Sequence, residues 1–210
     1  MDLNSYAPPL VAILRGLPPS DAASVGKTLL DAGFRLLEVP LNRPGAVEAI
    51  ATLARIAPKD AVVGGGTMMT KADVDAVTGA GGRLYVTPHC DPEVIAYARE
   101  KGMLCLPGIA TPSEAFSALR AGAHGLKLFP AEAIGTVGLK ALRTVLPAGT
   151  HVFPVGGVKP DQMADWIAAG ATGFGIGSAL YKPGTQAAEL APIARSYVDA
   201  WQAAQGGEHA

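Results

Sequence analysis

The chain has 210 residues, 49% of them hydrophobic and 17% charged, so it has enough apolar material for a large core and little that reads as disordered. A formal charge of −1 with no basic run argues against nucleic acid as a partner, and no apolar stretch approaches the roughly 18 residues of a membrane span. Met1-Asp2-Leu3-Asn4 lacks a signal-peptide pattern, and Cys90 and Cys105 form no CxxC pair, which together point to a reducing, cytoplasmic setting. Neither HExxH nor paired CxxC metal patterns occur.

Short apolar runs recur along the chain at Leu10–Leu14, Leu36–Leu41, Ala61–Val63, Leu84–Val86, Met103–Leu106, Leu126–Phe129, His151–Val155 and Gly173–Ile176. Their starts lie roughly 20 to 26 residues apart, enough for one strand and one crossover helix each. The intervening helices carry start signals. Thr70-Lys71-Ala72-Asp73 is a weak one, Asp91-Pro92-Glu93 a clearer one, and Thr111-Pro112-Ser113-Glu114 a capping box with proline at the first helical position. Gly33, Gly82, Gly102, Gly122 and Gly170 each stand where a helix gives way to the next strand. Eight strands alternating with helices, the last helix spanning Ala187–Gln205, predict a single α/β domain over residues 1–210 with a closed (β/α)8 barrel. The alternative is an open doubly wound sheet, but its dinucleotide fingerprint fails because Met69 stands where the third glycine is needed. Val25-Gly26-Lys27-Thr28 matches a P-loop only in its last residues and falls within a helix.

In barrels of this kind, function gathers at the C-terminal ends of the strands. Those ends present Arg15, Glu38, Thr67, Pro88, Lys127, Gly156-Gly157 and Gly177-Ser178. The most informative segment is Gly125-Leu126-Lys127-Leu128-Phe129-Pro130, where strand alternation sends Leu126 and Leu128 to one face and Lys127 and Phe129 to the other. A lysine there is either paired or solvated at the strand end, or buried with a lowered pKa. The buried form supplies the neutral amine that attacks a ketone. Glu38, in the apolar run Leu36-Leu37-Glu38-Val39-Pro40, is a catalytic carboxylate or half of a structural ion pair. Arg15 suits either a rim salt bridge or a carboxylate clamp; Thr67 and Pro88 read more simply as turn residues. The glycines after the last two strands let backbone N–H groups approach an anion, the usual phosphate site of such barrels. His89 and Cys90 border the mouth as spectators, His124, His151 and His209 carry no legible signal, and Trp166 and Trp201 read as helix packing.

Ala12-Ile13-Leu14-Arg15-Gly16, Glu38-Val39-Pro40-Leu41-Asn42, Gly64-Gly65-Gly66-Thr67, Val86-Thr87-Pro88, Gly125-Leu126-Lys127-Leu128-Phe129-Pro130, Val155-Gly156-Gly157-Val158 and Gly177-Ser178 follow one another, from about residue 8 to residue 182, as in the 2-keto-3-deoxy-6-phosphosugar acid aldolases. The chain resembles that family, and the resemblance implies a cytoplasmic homotrimer of barrels that acts on a phosphorylated 2-keto-3-deoxy sugar acid without metal or organic cofactor. It implies Lys127 as the Schiff-base lysine and Glu38 as the acid/base. Arg15 and Thr67 would hold the substrate carboxylate region, Gly156, Gly157, Gly177 and Ser178 the phosphate, and Pro88 would bear on facial selectivity. The gluconate-specific members usually carry arginine at Asn42 and threonine at Val155, and these departures favour the galactonate branch. The alternatives are a gluconate-type aldolase, a phosphosugar isomerase on the same barrel, and a non-catalytic phosphometabolite binder.

Overall fold

In the computed structural model of the protein, which describes residues 2–206, strands and helices succeed one another along those residues. The order is β1 (Leu10–Ile13), α1 (Ala22–Asp31), β2 (Leu36–Pro40), α2 (Ala46–Ile56), β3 (Val62–Gly66), α3 (Lys71–Gly79), β4 (Leu84–Val86), α4 (Pro92–Glu100), β5 (Leu104–Leu106) and β6 (Gly108–Ile109). It continues with α5 (Pro112–Arg120), β7 (Gly125–Leu128), α6 (Ala131–Arg143), β8 (His151–Pro154), α7 (Met163–Ala168), β9 (Phe174–Ile176) and α8 (Ala187–Gly206). All strand pairs are parallel, in a six-stranded sheet ordered β5-β4-β3-β2-β1-β9 and a three-stranded sheet ordered β6-β7-β8. The result is an α/β fold whose curled parallel sheet is wrapped by helices.

Two sets of contacts run between the sheets. A parallel bridge joins Val155 to Gly175, and on the other side the N–H groups of His124 and Lys127 donate to the carbonyls of Cys105 and Pro107 at 3.0 and 2.8 Å. The expected strand Met103–Leu106 continues past Pro107 as a second short strand, because proline has no N–H for the ladder and divides the run.

Alternation along each strand sorts the core into two layers. Leu10, Ala12, Leu37, Val39, Val63, Tyr85, Cys105, Leu126, Leu128, Val152 and Phe174 face the helices. Val11, Ile13, Leu36, Val62, Leu84, Val86, Leu104, Leu106, Phe153 and Val155 fill the concave inner side. Lys127 alternates with Leu126 and Leu128, and Glu38 with Leu37 and Val39, so both belong to the inner layer.

The helix signals hold with small corrections. Thr111 and Glu114 form a reciprocal capping box, and so do Thr70 and Asp73, making the weaker signal a full cap. Asp91 caps α4 through the N–H groups of Glu93 and Val94. Gly33, Gly102, Gly122 and Gly170 have positive φ as expected, but after α3 it is Gly81 (φ 86°), not Gly82, that takes the left-handed conformation. Gly82 is needed for space instead, since a Cβ there would press on Val77. The Gly26-Lys27-Thr28 stretch lies inside α1. Trp166 and Trp201 pack in the helical layer, Trp201 edge-on to Phe174 at 6.1 Å. His124 accepts the Cys105 N–H at 2.9 Å, a structural role, whereas His209 lies outside the described residues.

Candidate active site

Glu38 and Lys127 are the two charged residues buried among the described core, at 1% and 7% exposure. The ladder fixes where each stands. Glu38 pairs with Ile13 on one side and Gly64 on the other, and Lys127 pairs with Gly108 and Phe153. Burial holds the Glu38 carboxyl well above the usual range, up to about 7, against the opposing pull of Lys127 and Arg15. Burial likewise lowers the Lys127 pKa, with Glu38 working against that shift and Arg15 adding to it. The three side chains thus feel one another's charge. Glu38 Oε2 is buried with no hydrogen-bond partner in the protein, and the Lys127 amine stands 5.2 Å from the centre of the Phe129 ring. An unpaired carboxylate oxygen and a buried amine on one apolar face are expensive to maintain for structure alone.

The glycine run explains how Glu38 fits. Gly64, Gly65 and Gly66 lie within β3 rather than after it, and a Cβ on Gly66 would overlap the Glu38 carboxylate. Gly64 is pressed against the backbone of Leu84 in the same way. We expect Gly66→Ala to displace the Glu38 carboxylate and cut turnover at least tenfold, with an overpacking cost of about 1–3 kcal/mol. Steady-state kinetics beside a thermal melt would check this, and unchanged turnover would detach Gly66 from Glu38. The next residue, Thr67, has φ 54°. A β-branched residue in that region stores roughly 1–3 kcal/mol of strain, the kind of cost that clusters at functional sites.

Beside this pair opens a cavity of about 370 Å³ whose walls include Arg15, Val155, Gly156, Gly157, Gly177 and Ser178. Gly156 (φ 115°) and Gly157 (φ 69°) adopt conformations that side chains disfavour, and a Cβ on Gly156 would meet the Glu132 carboxylate. None of the N–H groups of Gly156, Gly157, Gly177 and Ser178 donates to a backbone carbonyl among the described residues, and all four residues line the cavity. Val155 is pinned there: its N–H donates to Leu128 and its carbonyl accepts from Ala131, both at 2.9 Å, and its side chain lies over Gly175.

The cavity therefore gathers six of the ten residues expected from sequence. Glu38 and Lys127 adjoin it from the inner strand layer, linked to it electrostatically through Arg15. Thr67 and Pro88 lie just past β3 and β4 and are not among its walls. Arg43, Phe129, Tyr181 and Lys182 also line it. Arg43 and Lys182 escaped the sequence reading, and their one available signal is that each follows a strand end and directly precedes a proline.

A family model described as KDPG and KHG aldolase matches residues 5–195. The chain belongs to the KDPG and KHG aldolase family. It is 44% identical over 200 residues to a probable 2-dehydro-3-deoxy-6-phosphogalactonate aldolase of Rhizobium meliloti (strain 1021), covering 95% of this chain and 94% of that protein. It is 43% identical over 196 residues to the 2-dehydro-3-deoxy-6-phosphogalactonate aldolase of Escherichia coli (strain K12), covering 93% and 96%. A solved structure described as native KDPGal superposes with a TM-score of 0.93 at 42% identity, over 95% of this chain and 97% of that one. The resemblance read from the motifs is thereby borne out at the level of the family.

Proposed function

We propose that the protein is a class I aldolase that cleaves 2-dehydro-3-deoxy-6-phospho-D-galactonate to pyruvate and D-glyceraldehyde 3-phosphate. The observation that carries this reading is the Lys127–Glu38 pair, two ionisable groups alone on a buried apolar face beside a cavity rich in N–H donors. In this reading Lys127 attacks the C2 ketone and loses water to give a protonated imine. Glu38 takes the C4 hydroxyl proton as the C3–C4 bond breaks, and its electron pair flows into the imine. Glyceraldehyde 3-phosphate leaves; the enamine is then protonated at C3 and the imine hydrolysed to pyruvate. Arg15 and Thr67 hold the substrate carboxylate region, Pro88 borders the face that is attacked, and Gly156, Gly157, Gly177 and Ser178 receive the phosphate. Grip on that remote group positions C4 over Glu38.

Val155 sets the choice of epimer. The galactonate and gluconate substrates differ only at C4, and valine cannot offer the hydroxyl that threonine would. An unpaired polar group with the wrong substrate costs about 1–3 kcal/mol, roughly 5- to 150-fold in selectivity. Measured kcat/KM values for the two epimers are therefore expected to favour galactonate, and Val155→Thr to move their ratio toward gluconate. A gluconate preference in the native protein would overturn the assignment.

The same reading makes the chain one domain and closes the two sheets into a (β/α)8 barrel. The Val155–Gly175 bridge on one side and the His124 and Lys127 N–H bonds on the other support that closure. Family membership further supports a homotrimer that works in the cytoplasm; no helix among the described residues is long and apolar enough to cross a membrane.

A further inference from the structure

Three cationic side chains, Arg15, Arg43 and Lys182, border the cavity, and no carboxylate among the described residues does. Among the described residues none of the three has an acidic partner within ion-pair distance. In the proposed mechanism the phosphate meets only backbone donors and Ser178, and Arg15 holds the carboxylate. Arg43 and Lys182 are left over, and a phosphate dianion brings two negative charges.

Their placement is built rather than incidental. Arg43 follows β2 and Lys182 follows β9, so they come from separate loops. Yet those loops meet over Gly16, where a Cβ would lie 3.1 Å from Pro183 Cγ and 3.9 Å from Arg43 Cγ. Each cation precedes a proline (Pro44, Pro183), which confines its own backbone to extended conformations and lowers the entropy of holding it in place. The Lys182 turn is also tied down. Its N–H donates to Thr185 Oγ1 at 3.1 Å, its carbonyl accepts from the Thr185 hydroxyl and N–H at 2.7 and 3.0 Å, and Gly184 supplies the positive φ the turn needs. Gly16, Gly177 and Ser178 line the same cavity.

We propose that Arg43 and Lys182 form a two-cation clamp on the phosphate of the substrate, closing from the mouth over the Gly177-Ser178 donors. The clamp rests on the aldolase reading and extends it: it makes the enzyme select phosphorylated over unphosphorylated aldehydes. Arginine offers a fork of donors and lysine a mobile point charge, a pairing that grips a tetrahedral dianion from two sides.

The test uses the reverse reaction, addition of pyruvate to D-glyceraldehyde 3-phosphate or to D-glyceraldehyde. Arg43→Ala and Lys182→Ala are each expected to lower kcat/KM for the phosphorylated aldehyde roughly 5- to 20-fold, the size of a charge-assisted contact partly exposed to solvent. They should leave the unphosphorylated aldehyde and the KM for pyruvate unchanged, and Lys182→Arg should recover most of the loss. Competitive inhibition by inorganic phosphate should weaken in parallel. An unchanged ratio of the two aldehydes, or a rise in the KM for pyruvate alone, would overturn the clamp. Native protein inactive with both aldehydes would instead sink the aldolase reading on which it rests.

Discussion

Replacing Lys127 is expected to abolish aldol cleavage, with a loss on the order of 10⁴-fold or more, as when a covalent nucleophile is removed. The lysine stands on the inner face of β7 between Leu126 and Leu128, at 7% exposure, and burial lowers its pKa toward the neutral amine. Alanine would leave a cavity there, so Lys127→Met is the cleaner variant: it keeps the volume of the stem and removes only the nitrogen. Lys127→Arg separates nucleophile from charge, because a guanidinium stays protonated and forms no imine. All three variants should lose turnover while a thermal melt still shows a cooperative transition. Substantial turnover by any of them would remove the imine from the mechanism.

Glu38→Gln is expected to keep imine formation with pyruvate and lose about 10²–10⁴ in cleavage. Glutamine preserves shape beside Gly66 but cannot accept the C4 hydroxyl proton. The pH dependence gives an independent reading. Burial raises the Glu38 carboxyl to about 7, and the base must be ionised to work, so native kcat/KM for cleavage should fall as the pH drops below about 7 and level off above it. That acid limb should vanish in Glu38→Gln. A variant that kept both native turnover and the acid limb would return Glu38 to a structural role.

Most of the architecture was legible because strand alternation and helix caps are local signals. Leu126-Lys127-Leu128 announced which face holds the lysine, and the caps at Thr111 and Asp91 stood where their spacing put them. What escaped depends on contacts remote in sequence. The glycines of β3 carry no apolar side chain to mark a strand, and only the fold shows that Gly64 must clear Leu84 and Gly66 must clear Glu38. Pro107 divided a strand whose continuation, Gly108-Ile109, is too short to show a period; Gly108 is fixed by its approach to the Pro88 backbone.

The candidate site divides in the same way. Residues that break a pattern, such as Lys127 and Glu38 in apolar strands or paired glycines after strands, could be picked out one by one. Arg43 and Lys182 break none: a cation in a polar loop looks like any solvated surface charge. Only the meeting of their two loops over Gly16 sets them on one cavity. Thr67 gave a hydroxyl after a glycine run, but its left-handed backbone was invisible, because φ is decided by β3 and the loop that follows.

The proposed catalysis turns on a covalent bond between Lys127 and the substrate ketone. Incubating the native protein with pyruvate, reducing with borohydride and mapping the peptides by mass spectrometry reads that bond directly. A single reduced pyruvyl adduct is expected on the peptide that carries Lys127, and none without pyruvate. An active enzyme with no adduct, or with the adduct on another lysine, would contradict it.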